Sequence, residues 1–257
     1  MADFHQTGVI TSLHRLGKPD LPRLERELMH YAEERPIALV PPSLSSEING
    51  PALKRIVEEL IHVPYLTQCV LSLSGPAGPA EYRKFRELVE PIRSIDDESA
   101  TVIWNQGPRI QALIQRLRDE GLDPGSEGKG RANWLAYGYV LATHRARVVA
   151  THDCDILDYD RDLLARLVFP TANPNMSYEF AKGYYSRVSD RMHGRVTRLF
   201  MTPLIRAMKS VLGPVPLLDY LESFRYPLAG ACSMTTELIR ANRIPADWGL
   251  EVGVLAE

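Results

Sequence analysis

Long apolar runs are missing from this sequence. None approaches the roughly 20 residues that a membrane-spanning helix requires, so no membrane partner is expected. A surplus of one charge is missing too. The 30 Lys and Arg stand against 32 Asp and Glu, a formal net charge of -2. A protein that grips duplex nucleic acid by bulk positive charge is more basic than this. Cysteine is scarce: Cys69, Cys154 and Cys232 form an odd, widely spaced set. Such a set fits the reduced thiols of a cytoplasmic protein better than a disulfide framework. The segment Met1 to His14 lacks the apolar core of a signal peptide. Familiar catalytic signatures are lacking as well. There is no Gly-x-Ser-x-Gly, no Gly-x-Gly-x-x-Gly and no His-Glu-x-x-His, and no two histidines have zinc-site spacing. What is present is an ordinary globular composition, 45% hydrophobic and 24% charged, which excludes disorder and collagen-like repeats.

Strand and helix patterns alternate along the chain. Asp20-Leu-Pro22 reads as a helix start, with proline near the first turn. Apolar runs at Ile37–Val40, Cys69–Leu73, Thr101–Trp104 and Val148–Thr151 read as strands. Helical spacing marks 23–32, 53–61, 81–92, 110–117 and 132–141. This order predicts an α/β fold, a Rossmann-like, mainly parallel sheet flanked by helices. We expect a helical lead-in over 1–34 and one domain over 35–257, with a small addition after about residue 200. The segment Gly249–Ala256 reads as a strand or a strand-to-loop junction. Gly121–Gly130 is glycine-rich and polar, and fits either a ligand loop or a plain connector.

Five segments carry chemistry. In the first, the apolar run to Thr151 leads straight into Asp153-Cys-Asp155. Ligands of open α/β sheets bind at the carboxyl ends of strands, and paired carboxylates there suit Mg²⁺ or Mn²⁺ facing phosphate oxygens. A solvated turn or a helix cap is the plainer reading. Asp158, Asp160 and Asp162 read as helix-start charges, and Cys154, alternating to the other side, as a small core residue. In the second, Gly128-Lys-Gly130 opens a helix, where glycine backbone and the helix terminus favour anions. The third, Pro41 to Glu47, follows the first strand, where nucleotides dock in this architecture; capping by Ser45 or Ser46 is the alternative. The fourth, Arg187 to Arg198, holds four arginines in twelve residues. Guanidinium forks suit a carboxylate or phosphate, as against a solvated basic helix face. In the last, Pro227 to Ala231 is a glycine-containing loop, and Glu251 stands in an apolar run where burial needs a partner or a task.

Taken in order, these segments resemble the nucleotide-sugar glycosyltransferases of the GT-A fold, and among them glycosyltransferase family 81. The family's Pro-Ala-Leu-Asn-Glu-Glu reads here Pro42-Ser-Leu-Ser-Ser-Glu47, its Gly-Lys-Gly is Gly128–Gly130, and its Asp-Ser-Asp is Asp153–Asp155. Its Gly-Arg-Val-Thr is unchanged at Gly194–Thr197, its Pro-Leu-Gly-Gly becomes Pro227–Gly230, and its Gly-Val-Glu-Ile-Gly becomes Gly249–Gly253. The resemblance implies a retaining hexosyltransferase that moves glucose from UDP-glucose to the C2 hydroxyl of D-3-phosphoglycerate, with a divalent cation, as a homodimer. It assigns Pro42, Leu44, Glu47, Lys129, Asp153, Cys154 and Gly230 to the donor, and Asp153 and Asp155 to the metal. Gly194, Arg195, Val196 and Thr197 go to the acceptor, and Lys129, Asp155 and Glu251 to catalysis. Ala229 borders the transferred glucose with Gly230 and Glu251. Ser45, Ser46 and Ala229 depart from the family pattern, which leaves other donors (GDP-mannose, ADP-glucose), plain glycerate, or a sugar nucleotidyltransferase as alternatives. The resemblance also implies a longer protein, with a further metal-binding His and a C-terminal helical part beyond Gly253.

Overall fold

The computed structural model describes residues 10–14, 17, 20–98, 100–185, 195–246 and 249–256. Helix α1 (Leu21–Glu34) starts where Asp20 accepts a hydrogen bond from the Arg23 N–H, with Pro22 in the first turn. Then come β1 (Ile37–Leu39), β2 (Pro42–Leu44), α2 (Pro51–Leu60), β3 (Leu66–Ser74), α3 (Pro79–Val89), β4 (Thr101–Trp104) and α4 (Pro108–Asp119). They are followed by α5 (Lys129–Thr143), β5 (Val148–Thr151), α6 (Arg161–Ala172), β6 (Phe180–Lys182), α7 (Thr202–Leu212) and α8 (Pro216–Ser223). The chain continues through β7 (Cys232–Thr235) and α9 (Thr236–Ala241) to α10 (Leu250–Ala256).

The expected parallel sheet is present. β3 pairs in parallel with β1, β2 and β4, and β1 pairs in parallel with β5. Beyond β5 the direction reverses, because β7 and then β6 pair antiparallel. Alternation along each strand sorts the core into two layers. Ile37, Leu39, Cys69, Leu71, Leu73, Val148 and Ala150 face one side, where they meet Leu28 of α1, Leu53 and Ile56 of α2, Phe85 of α3 and Leu164 of α6. Ala38, Val40, Val70 and Val149 face the other, against Ala136, Tyr137 and Val140 of α5 and Ile239 of α9. Each fully buried Leu or Ile side chain contributes roughly 1.5–3 kcal/mol. A smaller cluster of Ile205, Leu218, Leu221 and Leu255 joins α7, α8 and α10.

One expectation is overturned. Gly249–Ala256 is not a strand: Leu250–Ala256 is helical. Its glycine and valines have strand or loop propensity, but packing decides. Leu250 and Leu255 are buried, and the Asn242 side-chain amide donates to the Val254 carbonyl at 3.1 Å. Gly253 lies so close to the Pro245 ring that no larger residue fits without movement.

The carboxyl ends of β3 and β4 are tied by Asn105, which is 1% exposed. Its Nδ2 is 2.9 Å from Ser72 Oγ, the Leu73 carbonyl and Ser74 Oγ. Replacing Asn105 with Ala strips these buried partners and is expected to lower unfolding stability by about 1–3 kcal/mol. Urea denaturation checks this, and an unchanged midpoint at unchanged slope would refute it.

Candidate active site

Asp153 and Asp155 follow β5, the strand between β1 and β7, at the carboxyl end of the parallel sheet. Lys129 is the first residue of α5, on the far side of the same end. Its ammonium reaches Asp153 Oδ1 at 2.6 Å and Glu251 Oε1 at 2.8 Å. The sequence expectation that Glu251 needs a partner is thus met by Lys129, from a helix rather than a strand. Burial pulls the Lys129 ammonium toward neutrality, but Asp153 and Glu251 outweigh it and hold its pKa above the ordinary lysine value.

Gly230 completes this contact. A Cβ there would stand 2.5 Å from Asp153 Oδ2 and 2.6 Å from Lys129 Nζ. The glycine therefore leaves room for the ion pair, while its neighbour Ala229 is buried away at 2% exposure. Glu47 joins from the first loop. Its Oε2 accepts from Ser43 Oγ at 2.9 Å and from the Leu44 N–H at 2.8 Å. Burial pushes its carboxyl above the usual range; these two donors hold it down, and nearby Asp155 and Asp153 push it up again. Pro42 and Leu44 flank that loop in β2, with Leu44 exposed.

Asp155 is exposed, and among the described residues its carboxylate has no hydrogen bond or ion pair. No group of three or more His, Cys, Asp or Glu able to hold a metal occurs among the described residues. Two carboxylates without a protein cage fit Mg²⁺ or Mn²⁺, which take one or two carboxylates and leave other positions to phosphate and water. His152, 0% exposed, stays neutral because burial lowers its pKa. Its Nδ1 donates to the Asp153 carbonyl at 3.1 Å, and its Nε2 accepts from the Tyr159 hydroxyl at 3.1 Å. This pair braces the backbone that carries the two carboxylates.

Other expected residues stand apart. The Cys154 thiol lies in the core at 1% exposure. Alternation past β5 turns the side chain inward, as expected for a small core residue, so a contact of Cys154 with the donor falls to its backbone. Asp160 caps α6 and Asp162 lies in its first turn, as expected. Arg195 and Val196 are exposed at the start of a helical segment, and Thr197 Oγ1 is buried with no hydrogen-bond partner among the described residues. No hydrogen bond or ion pair joins Arg195 or Thr197 to the Lys129 cluster. Arg187, Arg191 and Gly194 lie outside the described residues.

The fold also gathers residues with no motif to announce them. Glu127 Oε1 accepts from the Gly75 N–H at 3.2 Å and from Gln106 Nε2. Ser45 Oγ stands 3.0 Å from where a Gly75 Cβ would be. Loops after β2, β3 and β4 thus converge on the segment before α5, beside the Glu47 loop.

The site is thus a carboxylate pair at the end of a central strand of a mainly parallel sheet, with a lysine-opened helix facing it. Solved structures agree on the fold. Glucosyl-3-phosphoglycerate synthase from Mycobacterium tuberculosis, in complex with Mn²⁺, UDP-glucose and phosphoglyceric acid, superposes with a TM-score of 0.64 at 23% identity, over 95% of this chain and 70% of that one. The same enzyme with Mg²⁺ and UDP gives 0.63. By sequence, the chain is homologous along its whole length to glucosyl-3-phosphoglycerate synthases. It is 44% identical to that of Persephonella marina over 257 residues and 38% identical to that of Methanococcoides burtonii over 259. It spans 62% of the length of each of these curated relatives. No family model matches.

Replacing Lys129 with Met leaves Asp153 and Glu251 without their cation. The side chain is 35% exposed, so the expected loss of stability lies between an exposed and a buried pair, of order 1 kcal/mol. A pKa raised on folding stabilises fully below the unfolded value, about 10.4, and is lost as pH rises through the folded one. The loss is therefore expected to be constant from about pH 6 to 9 and to shrink only above about 10.4. Denaturation across that range checks it, and a loss that vanishes at pH 8 would contradict a charged Lys129.

Proposed function

We propose that this chain is the donor-binding and acceptor-binding part of a retaining glucosyltransferase that moves glucose from UDP-glucose to the C2 hydroxyl of D-3-phosphoglycerate, giving glucosyl-3-phosphoglycerate. The observation that carries the reading is the Asp153–Lys129–Glu251 cluster, closed by Gly230, at the carboxyl end of β5. Homology to synthases of that name supports the same chemistry.

In this reading Asp155, whose carboxylate is free, and Asp153 hold a divalent cation. Bound there, the cation supplies electrophilic help to the departing nucleoside diphosphate. Lys129 fixes Asp153 and offers its own charge near the diphosphate, where positive charge counts most as the leaving group develops. Pro42, Leu44 and Glu47 border the nucleoside side. Glu251 acts in positioning. Its Oε1 is already held by Lys129 at 2.8 Å, which suits orienting the sugar better than attacking it. Arg195 and Thr197, with Gly194 and Val196, hold the acceptor anion, and the buried Thr197 hydroxyl, without a partner among the described residues, is suited to donate to it. Three thiols that are all buried and free support a reducing, cytoplasmic setting. Exposed Val196, Leu199, Phe200 and Val211 along one helical segment support a homodimer.

The test is nucleotide release with UDP-, GDP- and ADP-sugars against 3-phosphoglycerate and glycerate, with Mg²⁺ or Mn²⁺. UDP-glucose with 3-phosphoglycerate is expected to give the highest rate. Release no faster than with water overturns the acceptor, and pyrophosphate release from a nucleoside triphosphate makes the chain a nucleotidyltransferase. Asp155→Asn is expected to abolish metal-dependent turnover, by at least about 100-fold, with circular dichroism unchanged. Turnover near wild type would remove Asp155 from the metal.

Arg195→Ala removes a charged hydrogen bond of roughly 1.5–3 kcal/mol. It is expected to raise the acceptor KM by about tenfold or more, with the donor KM little changed. Equal rises for both substrates would move Arg195 out of the acceptor loop.

A further inference from the structure

We infer that Lys182 is a specificity-determining residue of the acceptor side: its ammonium receives an anionic group, a carboxylate or phosphate, of the acceptor. The inference rests on the transferase reading and adds a residue to it that no sequence motif marks.

Lys182 closes β6 and sits opposite Cys232 in the antiparallel register with β7. The next residue ties the same place down, since the Gly183 N–H donates to the Ala231 carbonyl at 2.9 Å. Lys182 thus lies beside the Gly230–Cys232 segment, whose first residue packs on Asp153 and Lys129. The Lys182 ammonium donates to the Glu251 backbone carbonyl at 3.4 Å and passes the Phe180 ring at 5.9 Å. Both lysines therefore meet at Glu251, Lys129 at its carboxylate and Lys182 at its main chain.

Their electrostatic positions differ. Lys129 has two carboxylates within 2.8 Å. Lys182 has no ion pair among the described residues, and its single hydrogen bond, at 3.4 Å, is long. A largely desolvated ammonium with a neutral partner costs free energy that a bound anion would recover. Its pKa is lowered in keeping with this. Burial is the main cause; Cys232 and Glu251 act against it, and Lys129 adds to it.

Lys182 also lines a cavity of about 1270 Å³ together with Gly183, Tyr184, Arg225, Tyr226 and Ala231. The carboxylates on the α6 wall of this cavity are partly engaged. Asp160 caps α6, and Asp162 pairs with Arg166 at 2.8 Å. Lys182 therefore links the donor cluster, through Glu251, to a cavity large enough for a hydroxy acid, and its ammonium has no carboxylate partner among the described residues.

The experiment compares wild type, Lys182→Met and Lys182→Arg. Calorimetry measures UDP binding with Mn²⁺, then binding of 3-phosphoglycerate, glycerate and glycerol 3-phosphate to the UDP-loaded protein; turnover gives both KM values. In Lys182→Met, affinity for the best-bound anion is expected to fall by about tenfold or more. UDP affinity and donor KM should stay within about twofold, and Lys182→Arg should recover most of the loss. Unchanged anion binding in Lys182→Met overturns the inference and leaves the transferase reading standing. So does a parallel fall in UDP affinity, or no recovery with arginine, because either marks a structural role. If wild type prefers an anion other than 3-phosphoglycerate and Lys182→Met loses it, the proposed acceptor fails and the inference holds. If wild type binds none of the anions, both fail.

Discussion

The ion triad of Lys129 with Asp153 and Glu251 is the constraint on which the site depends. Its three members come from the start of α5, the end of β5 and the first turn of α10, so the chain must be folded over more than a hundred residues before the triad exists. Each member is only partly exposed, at 35%, 31% and 26%. That is enough desolvation to make a missing partner costly, and enough openness to let a ligand in. The glycine at position 230 follows from it, because any side chain there would push on both ends of the Lys129–Asp153 pair. So does the helical state of 250–256, since a helix there brings the Glu251 carboxylate to Lys129 while Gly253 rests on Pro245.

Charge balance around the triad explains what the site can accept. Glu47, Asp153, Asp155 and Glu251 are four carboxylates, and Lys129 is paired with two of them. The surplus shows on Glu47, whose carboxyl is held above its usual range by burial and by its two Asp neighbours, against the Ser43 and Leu44 donors. If such a site is to hold a diphosphate, as the proposed function requires, it needs a cation of its own. A divalent ion held by one or two carboxylates and completed by phosphate oxygens fits that need. The sheet below holds this arrangement rigidly. β5 is buried at all four residues, and His152 and Tyr159 brace the turn that follows it.

Much of this arrangement is legible in the amino-acid sequence. Strands Thr101–Trp104 and Val148–Thr151 stand where short, two-sided apolar runs put them, and Asp153-x-Asp155 lies where such a strand must end. The glycine-lysine pair at 128–129 does open a helix. The C-terminal helix is not legible, because Gly-Leu-Glu-Val-Gly-Val has the local preferences of a strand, and tertiary contacts, burial of Leu250 and Leu255 and packing on Asn242 and Pro245, reverse them. The core position of the Cys154 side chain is legible, because alternation past β5 sends the middle residue of the Asp153–Asp155 motif inward. Lys182 ends a strand of three residues, too short for any pattern, and Glu127 meets Gly75 across 52 positions that only the fold closes.

The same charge balance sets a problem for the acceptor. Under the proposed transfer a small polyanion would have to come close to Glu251 to meet the sugar, and two unit charges of like sign 4 Å apart repel by roughly 4 kcal/mol at an effective dielectric of 20. Lys129 relieves little of this, because its ammonium is engaged by Asp153 and Glu251. The relief has to come from cations on the acceptor's own side. Lys182 has the geometry for it: it touches Glu251 through the backbone carbonyl and forms no ion pair with the carboxylate beside it. The two lysines then divide the work by partner. On that reading the one saturated with carboxylates would hold the donor machinery in shape, and the one left without an ion pair would offset the field that this machinery creates.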